Sequence, residues 1–392
     1  MKFTYDDPDL TALADSARRF ATNEIVPHLD DWEDAGEIPR DLHRAAAKAG
    51  LLGVSFPEGV GGEGGDLSHS VTVNEALLEA GASSGLLAGL FTHGIALPHM
   101  ASHGTPDLID RFCRPTLAGD MIGALGVTEP GGGSDVAGIT TKAVRDGDHF
   151  IVNGGKTFIT SGDRADFVTA AVRTGGEGHA GVSLLVIEKD TPGFTVDRRL
   201  RKMGWHCSDT AELSFVDCPV PVENLVGPEN GGFYLIAEQF VVERIALAVH
   251  AYGIAARSLN LTHAYAGNRH TFGRPLTDRQ VVQHKLLEMR REVEVARAYT
   301  WQVVRRFLAD QAAGGGDADI IAEACLAKQT AVEACERVVD TAVQIHGGAG
   351  YLHGTEVERH YRDSRILPIG GGATEVLADL AAKLLGYTKP AS

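Results

Sequence analysis

Two short stretches hold residue types from which proton chemistry could be built. Glu243-Arg244 precedes Ile245 to Ala256, a run without a formally charged side chain, and a helix so apolar on most of its faces belongs inside a protein. A carboxylate entering such surroundings has its ionised form disfavoured, which makes it a usable proton acceptor. The same residues also fit a plain helical turn, with Glu243 favoured by the dipole and neutralised by Arg244. The second stretch is Val127-Thr128-Glu129-Pro130-Gly131-Gly132-Gly133-Ser134-Asp135. Its glycines let backbone amides approach a ligand, while Thr128 and Ser134 offer hydroxyl donors. Glycine-rich turns are common, so the loop gains weight from Asn153-Gly154-Gly155-Lys156-Thr157-Phe158-Ile159-Thr160-Ser161, which follows at the spacing expected if both strand ends line one cleft.

The elements that must position these residues show in the periodicity. Helical spacing predicts helices over Pro8–Val26, Pro39–Gly50, Leu67–Ala80, Ser84–Ser102 and Pro106–Ala118, with the glycine-rich Phe56 to Gly65 as a loop. From about Met121 to Val226 the apolar residues fall into short groups separated by turn clusters such as Asp146-Gly147-Asp148, the pattern of a compact antiparallel β-domain. Helical period then returns over Phe233–Ala266, Asp278–Ala312, Asp317–Ile345 and Thr374–Leu385, with Gly314-Gly315-Gly316 as a tight turn, which reads as an antiparallel bundle. The expected fold is α+β in three domains: helices over 1–121, a β-barrel or sandwich over 122–230, and a four-helix bundle over 231–392. Only Thr388 to Ser392 looks frayed.

Composition narrows the function classes. At 392 residues and a formal net charge of −16, the chain has capacity for a large core and is a poor candidate for an extended nucleic-acid surface. Basic islands at Arg198-Arg199-Arg201-Lys202 and at Arg269, Arg274 and Arg279 fit small phosphorylated ligands or solvated faces. Five scattered cysteines without C-x-x-C spacing argue against a disulfide framework and a zinc site, and no other metal site is expected. The N-terminus lacks a secretory pattern and no window suits a membrane span, so a cytoplasmic protein is expected.

The two glycine-bearing motifs, taken with Lys202-Met203-Gly204-Trp205, Asp209-Thr210, Arg269-His270-Thr271-Phe272-Gly273, Gln280, Gln344-Ile345-His346-Gly347-Gly348-Ala349-Gly350-Tyr351 and Tyr361-Arg362-Asp363, give the chain its likeness. In this order and over nearly the whole length, the sequence resembles the acyl-CoA dehydrogenases. The resemblance implies FAD as cofactor. Leu125, Val127, Thr128, Gly133 and Ser134 would hold the flavin edge, with Ser134 also on the pantetheine side of the substrate. Phe158 would pack on the isoalloxazine and Thr160 donate to its polar edge. Arg269, Thr271, Phe272, Gln280, Gln344, Gly347 and Gly348 would hold pyrophosphate and adenosine, with Ala373 and Glu375 completing the cofactor set, and Arg244 would reach the CoA side. It also implies a homo-oligomer, commonly a tetramer, and an electron-transfer flavoprotein as electron acceptor.

Two departures from the family pattern matter. Many members carry tryptophan where Phe158 stands. Many also carry the catalytic glutamate in the loop matched by Ile369-Gly370-Gly371-Gly372-Ala373-Thr374-Glu375, where this chain has Gly371. In the long-chain and isovaleryl branches the base sits instead on the helix bearing a Glu-Arg pair, the combination seen here. Glu243 is therefore expected to remove the α-proton of a fatty acyl-CoA, with the Gly371 backbone amide serving the thioester oxygen. Glu375 is a rival base that a first-turn role explains, and His346 is expected to be structural. The alternatives are a silent acyl-CoA-binding relative, or an acyl-CoA oxidase or flavin monooxygenase on the same scaffold. Small residues over Ser83 to Leu90 fit an acyl-tail pocket or close helix packing.

Overall fold

The computed structural model describes residues 1–388, so the frayed end expected over Thr388–Ser392 lies, from residue 389 on, outside the described residues. The chain opens with α1 (Pro8–Phe20), α2 (Leu29–Ala35), α3 (Arg40–Lys48), α4 (Leu67–Ala80) and α5 (Ser84–Leu90), followed by the short α6 (His93–Ala96), α7 (Pro98–His103), α8 (Pro106–Leu108) and α9 (Arg114–Leu117). Asp7 caps α1 by accepting from the Asp9 amide, and Asp66 caps α4 in a reciprocal box with His69. Prolines account for the differences from the sequence reading. The helix expected to reach Val26 unwinds after Phe20 into a π turn (Ala21–Ile25) and a 3-10 turn (Val26–His28) around Pro27, which cannot donate a helical hydrogen bond. The helix expected over Ser84–Ser102 breaks into three, the last starting at Pro98.

The middle of the chain forms an eight-stranded sheet. Its strands are β1 (Gly123–Gly126), β2 (Lys142–Asp146), β3 (His149–Thr160), β4 (Phe167–Arg173), β5 (Val182–Glu188), β6 (Phe194–Arg199), β7 (Thr210–Pro221) and β8 (Leu225–Val226). The order is β6-β7-β3-β2-β4-β5-β8, with β1 alongside β4. Pairing is antiparallel apart from β1 and a single β2 residue against β4. Phe150, Val152, Leu185, Leu213 and Phe215 fill the interior, each such side chain contributing roughly 1.5–3 kcal/mol on burial.

Helices return with α10 (Gly232–Asn268), then the small hairpin β9 (His270–Thr271) and β10 (Arg274–Pro275), α11 (Gln280–Ala312), α12 (Ala318–His346), α13 (Gly348–Tyr351), α14 (Glu356–Ser364) and α15 (Thr374–Leu384). α10 runs through the largest core, where Ile245, Ala248, Val249 and Tyr252 meet α4, α11 and α12. A buried acid, Glu75, lies against that core. Glu75 accepts from Tyr5, Tyr252, Arg297 and Trp301, so its charge is fully hydrogen-bonded. α14, absent from the sequence reading, buries little apolar surface beyond Val357. It is tied down by Arg257 to Glu356, Arg359 to Asp30 and Ser258 to His360.

Candidate active site

β3 carries the first half of the site. Its pairing with β7 shifts register between Lys156 and Ile159, and in that irregularity Phe158 takes a left-handed φ of +59° with its ring 68% exposed. A non-glycine residue with positive φ is a strained conformation that survives only where the surroundings impose it. Thr160, half-buried, ends the strand. The glycine loop is fastened to β3 from below. The Thr157 amide donates to the Thr128 carbonyl at 2.9 Å, and Lys156 Nζ donates to the Val127 carbonyl at 3.1 Å. Val127 is buried, Leu125 and Thr128 are half-buried, and Gly133 and Ser134 are exposed.

α10 carries the second half. Glu243 is half-buried, and burial raises its pKa above the ordinary carboxylate value against the opposing pull of Lys328 and Arg244. A Cβ built on Gly371 would lie 3.4 Å from Glu243 Oε1 and would collide with Leu247 Cδ1. Glu243 on the helix thus meets the Gly371 loop. Gly371 and Gly372 both take positive φ, +62° and +95°, a pair of conformations that glycine adopts without a Cβ penalty. Arg244 is 6% exposed, its guanidinium 5.6 Å from the Phe240 ring centre and its Nε without a hydrogen-bond partner among the described residues.

The remaining residues fall into two more groups. Arg269 follows α10, and its amide donates to the Tyr265 carbonyl; Tyr265 stacks on His346 at 4.3 Å and donates to the His346 carbonyl. Tyr265, one turn before Arg269, thus joins α10 to the end of α12, where Gln344, Gly347 and Gly348 are exposed. In the hairpin, Arg279 donates to the Thr271 carbonyl and lies over the Phe272 ring, which is 97% exposed; Gln280 starts α11. Ala373 precedes α15, and Glu375 is exposed in that helix's first turn. Gly85 is a close-packing position against the Trp205 backbone, whereas a Cβ at Gly89 would make only ordinary contacts with Ile38 and Ser208.

Sequence reasoning assigned no role to three positions that shape the site. Glu129, at the root of the glycine loop, accepts from Lys156 Nζ at 2.7 Å and from Thr140 and Thr141. Burial would raise its pKa, but Lys156 and the threonines outweigh that and hold it at about 2. Lys156 is itself lowered to about 8 by burial, against the pull of Glu129. Lys328 on α12 donates to the Gly370 carbonyl and, at 2.7 Å, to the Gly372 carbonyl. The signal for Lys328 was its spacing from Ala324, Cys325, Ala331 and Val332, which puts it on the buried face of α12.

The helical bundle and the β-domain thus present a half-buried carboxylate, glycine loops and unshielded aromatic rings. The acyl-CoA dehydrogenase N-terminal, middle and C-terminal domain families match residues 7–120, 124–218 and 230–386. The chain belongs to the acyl-CoA dehydrogenases, oxidoreductases acting on CH–CH groups. It is 36% identical over 373 residues to the mitochondrial long-chain specific acyl-CoA dehydrogenase of Mus musculus, covering 94% of this chain and 84% of that one. A probable acyl CoA dehydrogenase of Mycobacterium abscessus superposes with a TM-score of 0.95 at 59% identity, covering 98% of this chain and 100% of that one. A glutaryl-CoA dehydrogenase of Mycobacterium smegmatis, solved with FADH2, gives 0.89 at 25% identity over 98% and 96%. No helix among the described residues is long and apolar enough to cross a membrane.

Proposed function

We propose that the protein dehydrogenates a fatty acyl-CoA between its α and β carbons, giving a trans-2-enoyl-CoA, with Glu243 as the base. One observation carries this reading: the Glu243 carboxylate reaches the Gly371 loop, 3.4 Å from where a side chain at that position would begin. A partly desolvated carboxylate with a raised pKa takes a proton more readily than a solvated one. It is still a weak base for a thioester α-proton, so the enolate needs stabilising as it forms. The Gly371 amide is the donor assigned to the thioester oxygen, and it has no acceptor among the described residues. Donors of this kind are typically worth about 3 kcal/mol of barrier. Arg244 and Ser134 are the residues assigned to the CoA and pantetheine side.

FAD, when bound, supplies the hydride acceptor. The residues present fit it. Phe158 is largely exposed and Thr160 half-buried two residues on, and Cβ atoms added at Gly131 or Gly348 would meet nothing within 4 Å, so a ligand can approach the backbone closely there. Leu125, Val127, Thr128 and Gly133 are assigned to the flavin edge. Arg269, Thr271, Phe272, Gln280, Gln344, Ala373 and Glu375 are assigned to the rest of the cofactor. We take the three domains to divide near residues 121 and 230, and the protein to work in the cytoplasm as a homo-oligomer, with a tetramer favoured. The unshielded Phe272 and Tyr351 rings support association. An electron-transfer flavoprotein is the assigned electron acceptor.

Glu243→Gln tests the reading. The variant should keep its fold and its FAD and lose acyl-CoA dehydrogenation by about 10³-fold; turnover at the wild-type rate overturns the assignment.

A further inference from the structure

Lys328 is 1% exposed, yet its ammonium group contacts carbonyl oxygens and makes no salt bridge among the described residues. Burying an ammonium costs several kcal/mol unless it is well hydrogen-bonded. Its partners are the carbonyl oxygens of Gly370 and Gly372, which accept from no other group among the described residues. Those two carbonyls flank Gly371 on either side. The loop between them has few supports of its own: the Gly370 amide donates back to the Ile366 carbonyl, the Thr374 amide to the Pro368 carbonyl, and Gly371 and Gly372 between them have left-handed backbones. Lys328 therefore fixes the orientation of this turn.

The Gly370 carbonyl and the Gly371 N–H belong to one peptide unit. A cation on the carbonyl oxygen draws electron density from the amide and strengthens its N–H as a donor, because hydrogen bonds in a chain polarise one another. We propose that Lys328 is a positioning residue for the oxyanion donor: its ammonium clamps both sides of Gly371 and thereby aims and polarises the amide that serves the thioester oxygen. This inference rests on the dehydrogenase reading and adds a residue to it. Lys328 touches neither substrate nor cofactor in this account and acts through the 370–371 peptide.

The test compares wild type with Lys328→Met, both loaded with FAD. The variant should lose about 100-fold in kcat while KM changes by less than about 3-fold and FAD content is unchanged, since the donor acts mainly in the transition state. The thioester carbonyl stretch of bound trans-2-enoyl-CoA supplies a second readout. It should lie below its solution value in wild type and return toward that value in the variant, a shift that a purely structural lysine would not produce. If Lys328→Met does not fold, Lys328→Gln, which keeps an N–H donor without the charge, is measured in its place with the same expectations in direction. A wild type that dehydrogenates acyl-CoA while the folded variant keeps kcat and the carbonyl stretch overturns the inference alone. A wild type that converts no acyl-CoA overturns the reading beneath it.

Discussion

Lys156 in the sheet and Lys328 in the bundle are both sealed from water, and both hold carbonyl oxygens of a glycine-bearing loop. Burial lowers the pKa of each to about 8. They differ in what neutralises them. Lys156 lies 2.7 Å from Glu129 Oε1, which also accepts from the Thr141 amide while Oε2 accepts from Thr140, so charge and hydrogen bonds close on themselves. Lys328 has only carbonyl dipoles at contact distance, with Glu243 acting on it from farther away. A closed pair serves the fold. An ammonium left without an ion-pair partner keeps its field available to whatever negative charge develops nearby.

The comparison can be broken most sharply by removing each amine. Lys156→Met strands the Glu129 carboxylate in the interior and should cost about 3–5 kcal/mol, read as a fall in the urea unfolding midpoint. Lys328→Met strands two carbonyls and no carboxylate, so the loss should be smaller, about 1–3 kcal/mol, with its main effect on kcat. Equal losses of stability would remove the distinction. Acid sharpens it next, because the two glutamates are shifted in opposite directions. Glu129 is depressed to about 2, so the stability it contributes is present above the ordinary carboxylate pKa near 4.5 and is lost as pH falls through about 2. Glu243 is raised by burial, so the unprotonated base is lost at a higher pH, and the acid limb of kcat/KM should lie above the usual carboxylate range. A limb at the ordinary value would separate Glu243 from the rate. The smallest effect belongs to Phe158→Trp, which should change the flavin absorbance with unchanged FAD content, because the exposed ring packs on nothing in the chain that a larger one must displace.

Much of the fold was legible because helical period and turn clusters are local. α4 runs over Leu67–Ala80 as its periodicity predicts, and the long helices of the bundle lie where the apolar spacing puts them. α14 was not legible because polar pairing, and not an apolar stripe, holds it. Pro27 marked a helix end, but the π turn before it and α2 after it left no pattern. In the site, Glu243 and Gly371 could be proposed together from sequence and do adjoin. Lys156 was hidden by its strand. Register shifts at Val152/Gly154 and Lys156/Ile159 break the simple alternation that would have marked it as inward-facing. Lys328 was visible as a lysine on a buried helical face, but what it holds depends on a loop more than forty residues later.

Leu247 sits one helical turn beyond Glu243, and its methyl fills the space where a side chain at position 371 would begin. The left-handed backbone there adds a second obstacle. A carboxylate placed in this loop by one mutation would therefore have to displace that methyl and adopt a strained backbone. The Leu247 methyl is the mobile end of a side chain and can shift, whereas the left-handed backbone remains, so the turn itself holds this position for a residue without a Cβ.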